Sequence, residues 1–178
     1  MMLFEKKLII VIILMFLTVG TALGFDVWKS FSPPNGGFSI LMPSMPTESR
    51  LMQDTAMGKI FVSSFRLHMK NMAYIVSYND YPEVYVGRSN INVFFAGVRD
   101  GSVGNINGRV LTQHNISISG YPGLEYVAEF MFKRHGDSTI KTRIYLVNNR
   151  LYQVSVIGMR GELSVAQQNK FLNSFKLL

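Results

Sequence analysis

Histidine, carboxylate and hydroxyl groups are the reactive side chains open to this chain, because its 178 residues include no Cys. Thiol nucleophiles, iron–sulfur clusters and thiolate zinc sites are thereby excluded. The histidines, His68, His114 and His135, stand far apart in sequence. None has a second His four residues away beside a Glu, the spacing that puts two zinc-binding imidazoles on one helical face. They read as surface or turn histidines. Glu125 and Glu129 share one face of a strand at a separation of ~13 Å, beyond the reach of the paired carboxylates that flank a glycosidic bond. Cross-strand pairing of Glu129 with Arg143 accounts for that carboxylate better. There is no Gly-x-Ser-x-Gly, the elbow that exposes a serine nucleophile. The stretch GVRDGSVGNING, residues 97–108, lacks the Lys-Ser/Thr ending with which a phosphate loop holds nucleotide and magnesium. These residues predict no catalytic centre, no metal site and no cofactor.

Binding is the chemistry that remains. SYNDYPEVYVGRSN, residues 77–90, sets Tyr78, Tyr81, Tyr85 and Arg88 around a Pro-broken connection. Tyr and Arg are enriched among the residues that carry interface binding energy. Tyr81, Tyr85 and Arg88 are therefore the candidate partner-binding residues. Tyrosines packed over a sheet edge are the structural alternative.

Compartment follows from the first residues. Lys6 and Lys7 precede an unbroken apolar run over residues 8–17, and Ala22-Leu23-Gly24 supplies small residues at its end. This is the three-part pattern of a secretory signal, with an apolar core shorter than the ~20 residues of a comfortable membrane span. Cleavage after Gly24 is expected, leaving a single domain over residues 25–178 that is periplasmic or extracellular; an uncleaved N-terminal membrane anchor is the alternative. A domain of that length can hold a core without disulfides. The chain carries a net charge of +7. Removing Lys6, Lys7 and Glu5 with the signal leaves a positive domain whose charge is dispersed, the closest pair being Lys133-Arg134. Diffuse positive charge attracts anionic surfaces, protein partners and peripheral membrane contact among them, without specifying one. No basic stripe interleaved with aromatics marks a nucleic-acid interface.

The elements read as follows. Period-two alternation dominates. Residues 28–32 and 38–42 are two short strands joined over Pro33-Pro34-Asn35-Gly36-Gly37, where Pro fixes φ and Gly permits positive φ. Residues 47–54, 59–69 and 73–80 are the next strands. A helix follows, capped by Ser89 or Asn90, with Ile91, Phe94, Phe95 and Val98 on one face and an end near residue 103. Strands at 108–118, 123–134, 139–147 and 151–158 precede a last helix with a capping box at Ser164-Val165-Ala166-Gln167 and an inner face of Val165, Gln168, Phe171, Leu172 and Phe175. A three-residue loop at Gly136-Asp137-Ser138 sets Phe130 against Ile144, since opposed residues of an antiparallel pair share a face only when their numbers have equal parity. The order strands, helix, strands, helix predicts an α+β domain, an antiparallel β-sheet flanked by helices.

The segments FSPPNGGFSILMP, YIVSYNDYP, GYPGLEYVAEF, RIYLVNNRLYQVSVIG and NKFLNSFKL occur in the order found in exported bacterial proteins of the PsbP-like superfamily, DcrB-like proteins among them. The chain resembles that superfamily over nearly all of residues 25–178, through turns and core strands. The resemblance implies an antiparallel sheet sandwiched between helices. It also implies a small adaptor-like domain that binds a protein partner and shares no reaction with its relatives. The expected function is a non-enzymatic exported protein-binding or assembly factor. An envelope ligand-binding protein or hydrolase, with a site assembled from scattered residues, is the second expectation.

Overall fold

The computed structural model describes residues 27–55, 58–83, 90–132, 136–162 and 164–178. The elements run β1 (Lys29–Phe31), β2 (Phe38–Met42), β3 (Thr47–Thr55), β4 (Gly58–His68), β5 (Met72–Asp80), α1 (Ile91–Asn105), β6 (Arg109–Ile118), β7 (Tyr121–Phe132), β8 (Gly136–Val147), β9 (Arg150–Met159), α2 (Val165–Asn173) and β10 (Lys176–Leu177). A seven-stranded sheet is ordered β3-β4-β5-β9-β8-β7-β6, and a small one β1-β2-β10. Every pairing is antiparallel. This is the α+β architecture that the sequence predicts.

Alternation on β9 explains the layers. Tyr152, Val154 and Val156 point into a core closed by Phe38, Ile40 and Met42 of β2 and by Phe171 and Leu172 of α2. Leu151, of opposite parity, points into a second core with Phe94, Phe95 and Val103 of α1 and Leu124, Tyr126 and Ala128 of β7. The large sheet is thus covered on one face by the small sheet and α2, and on the other by α1. The first core is strongly aromatic. Phe38, fully buried, stacks on Phe175 at 5.4 Å and meets Tyr152 edge-on at 5.9 Å. Such pairs add to the free energy of burial itself.

The Pro-Gly stretch between β1 and β2 is a clamped bend. Arg150 holds Asp80 through Nε to Oδ1 at 2.6 Å and Nη2 to Oδ2 at 2.8 Å, and donates through Nη1 to the Asn35 carbonyl at 2.8 Å. Its guanidinium lies 4.7 Å from the Tyr78 ring centroid. The Tyr152 hydroxyl donates to the Gly36 carbonyl at 2.9 Å. Gly37 has φ +68, and a Cβ there would stand 2.9 Å from the Tyr152 hydroxyl, so glycine is required on both counts. FSPPNGGF, YNDYP and NNRLYQ therefore meet at one corner of the sheet, where they hold structure.

Five details depart from the sequence reading. The β7–β8 reversal falls on residues 133–135, outside the described residues, and pairs Phe132 with Gly136 and Phe130 with Ser138. The parity is as expected, but the position is not: Gly136-Asp137-Ser138 belong to the strand, and Arg143 consequently faces Glu125 rather than neighbouring Glu129. The β6–β7 turn is Ser119-Gly120, both at positive φ, the requirement of a two-residue hairpin, and Pro122 lies within the strand. α1 runs to Asn105 with Asn90 as its cap, the Asn90 side chain accepting from the Asn92 N–H at 2.9 Å. Ser164 stands at the start of α2 without a side-chain capping bond, and Val165 is exposed. β10 completes the small sheet by pairing Leu177 with Phe38; two residues are too short for an alternation to register.

Candidate ligand-binding cavity

The α1 side of the sheet is covered unevenly. α1 packs over β6 and β7, held there by Phe94 and Phe95, whose helical spacing puts both on its inner face. Along β4, β5 and β8 the same face presents small side chains at the opening: Ser64, Ala73 and Ser138. Small residues on neighbouring strands leave depth where large ones would fill it. The result is a cavity of about 300 Å³, at the lower end of volumes that hold small ligands.

Its walls come from separate elements. Ile75 of β5 and Ile157 of β9 form the floor, Ile106 at the end of α1 one side, and Phe130 and Phe132 of β7 another. Arg66 and His68 of β4 and Lys70 of the following turn stand at the cavity, and among the described residues no Asp or Glu lines it. Arg66 is half-buried and donates through Nη2 to the Ser64 hydroxyl at 3.4 Å. Burial lowers the Arg66 pKa, the sign of a cation taken from water without a compensating carboxylate. Burial, and then the charge of Arg66, lowers the pKa of His68 from its usual 6.5.

The candidate partner-binding residues lie elsewhere. Tyr81 is inside the protein at 7% exposure, its ring edge-on to Phe94 at 5.3 Å. Its N–H donates to the Asn149 carbonyl at 2.8 Å, and its own carbonyl accepts from Asn149 Nδ2 at 2.9 Å. That ring offers no free surface. Tyr85 and Arg88 lie outside the described residues.

The acidic residues form ion pairs on the other side of the sheet. Glu125 accepts from Arg143 Nε at 2.6 Å, with Lys141 Nζ at 2.9 Å and His114 Nε2 at 3.6 Å. Glu129 pairs with Arg109 and Arg160. Ser138 and Lys141 are three apart, a spacing that joins a nucleophile to its base on a helix; on β8 they point to opposite faces. Among the described residues no group of three His, Asp or Glu could hold a metal ion.

Glu125 carries a pH prediction. Burial raises its pKa, but hydrogen bonds and charge from Arg143 and Lys141 outweigh burial and hold it below the usual 4.5. A carboxyl depressed on folding contributes stability that is complete above its unfolded pKa and is lost as pH falls through the folded one. Urea denaturation should show Glu125→Gln less stable than the wild type by about 1–3 kcal/mol at pH 7. That gap should close below pH 4.5; a gap independent of pH contradicts the ion-pair account.

Comparison with known proteins bears on the fold. No family model matches the sequence, and no curated protein matches it. Among solved structures, cyanobacterial PsbP (CyanoP) from Synechocystis sp. PCC 6803 is similar with a TM-score of 0.55 at 12% identity, over 91% of this chain and 99% of that one. A protein from Bacteroides thetaiotaomicron is similar with a TM-score of 0.51 at 13% identity, over 84% of this chain. This chain matches 48% of the Bacteroides protein's length, about half. The fold is the PsbP-like one. At such identities the likeness concerns architecture, and the site is this chain's own.

Proposed function

We propose that this protein is a non-catalytic binding domain that takes an apolar small molecule in the cavity beneath the end of α1. The observation that carries it is the cavity of about 300 Å³ walled by Ile75, Ile106, Phe130, Phe132 and Ile157. A concave apolar site with a few polar groups at its mouth is the usual form of a ligand pocket. The polar groups here, Arg66, His68 and Lys70, stand together on the β4 side of the mouth. Export is part of the proposal, supported by the signal pattern of residues 1–24; among the described residues no helix is long and apolar enough to cross a membrane.

The test uses a neutral apolar fluorophore, N-phenyl-1-naphthylamine, titrated into the protein. Its fluorescence should rise to saturation at one molecule per chain. Ile157→Trp, which fills the floor, should weaken binding by about tenfold or more while leaving the unfolding midpoint near that of the wild type. Equal binding by both proteins contradicts this site.

A second reading, stoichiometric contact with a protein partner, is favoured by the exposed Leu51, Met52 and Phe61 on the β3–β4 hairpin, at 48%, 55% and 53% exposure. β3 is also an edge strand, with backbone groups open to pairing. On that reading Phe61→Ser weakens the contact and Ile157→Trp leaves it intact.

A further inference from the structure

We propose that the ligand of the cavity is an amphiphile with an anionic head that inserts one alkyl chain, the chain lying on Ile75, Ile106, Phe130 and Ile157 and the head meeting Arg66 and Lys70. This rests on the binding-domain reading above and adds the chemical class of the ligand. The cavity has two unlike regions. Its floor and sides are aliphatic and aromatic, contributed by β5, β7, β9 and the end of α1. The β4 side and the turn after it bring Arg66, His68 and Lys70, with no acidic residue among the lining side chains.

Charge complementarity fixes the sign of the head. A cationic head would meet two cations and no carboxylate, and a neutral one would leave Arg66 without an anion. An anionic head supplies the partner that burial of Arg66 calls for. Charge-assisted hydrogen bonds from guanidinium to carboxylate are about twice as strong as neutral ones. His68 stands at the same mouth. The apolar region selects the tail, since each methylene buried there adds to the free energy of binding. Neither region alone distinguishes a fatty acid from a phospholipid acyl chain, because both present an anionic head on an alkyl chain.

The experiment compares three ligands with ten-carbon chains and different heads, at concentrations below micelle formation, by displacement of the naphthylamine probe. Decanoate should bind at least about tenfold more tightly than 1-decanol, and decyltrimethylammonium most weakly. Arg66→Gln should bring decanoate to the level of decanol. Lys70→Gln, at an exposed turn position where folding is not at stake, should move it part of the way. Added salt should weaken decanoate and leave decanol unchanged. Equal binding of decanoate and decanol overturns the anionic head and leaves the apolar cavity standing. Failure of all three to displace the probe overturns the cavity as well. Co-sedimentation with phosphatidylglycerol vesicles then separates the sources. Vesicle binding that decanoate competes away assigns a chain drawn from a bilayer, and decanoate binding without vesicle binding assigns a free fatty acid. Vesicle binding that persists in Arg66→Gln and resists decanoate contradicts this site.

Discussion

Tyr81→Ala should destabilise the protein by about 3–5 kcal/mol, the cost of removing a buried aromatic ring that its surroundings cannot replace. The ring lies in the second core against Phe94, near the beginning of α1. Its loss opens space between the helix and the sheet, and Phe94 loses its edge-on neighbour. Burial raises the pKa of the hydroxyl, an effect that Asn79 partly offsets, so Tyr81→Phe keeps the packing and should cost far less. Chemical denaturation checks both variants. A change under about 1 kcal/mol for Tyr81→Ala would mean that the ring is a surface contact, as its place in a Tyr- and Arg-rich segment suggests. A large loss makes it the anchor that seats the beginning of α1 on the sheet.

Phe38→Ala should cost a similar 3–5 kcal/mol by a different route. Phe38 is the small-sheet residue with the most aromatic contacts to the large sheet. Its ring contacts Phe65, Tyr78, Tyr152 and Phe175, and its backbone pairs with Leu177 of β10. Removal strips one partner from each ring and loosens the strand that β10 completes. The site stands on the opposite face, so probe binding should survive wherever the variant remains folded. Denaturation with the fluorophore present measures both quantities together. Loss of binding in a folded Phe38→Ala would show that the two faces are coupled.

Much of the fold was legible because alternation and turn chemistry are local. β5, β7 and β9 reveal themselves through residues that alternate or run apolar, and Asn90 through its capping chemistry. Register was not local. Parity narrowed the β7–β8 pairing, but the reversal moved to residues 133–135, because Gly136, at positive φ, opens the strand instead of closing the loop. Tyr81 misled for a related reason: residue type marks hot spots and core aromatics alike, and burial distinguishes them only once α1 is seated. The cavity was not legible at all. It depends on Ser64, Ala73 and Ser138 sharing one face with Ile75 and Ile157, an adjacency that requires the strand order β4-β5-β9-β8. The signal was present as small residues where each strand's alternation calls for large ones.

The central claim, that the α1 side of the sheet holds a ligand site, is tested most directly by amide chemical shifts of the protein titrated with 1-decanol, a neutral ligand whose charge cannot perturb them. The account predicts saturable shifts concentrated at Ala73, Ile75, Ile106, Ile157 and Gly158. Shifts at Leu51, Met52 and Phe61 with the cavity residues unmoved, or no saturable shifts at all, would contradict it.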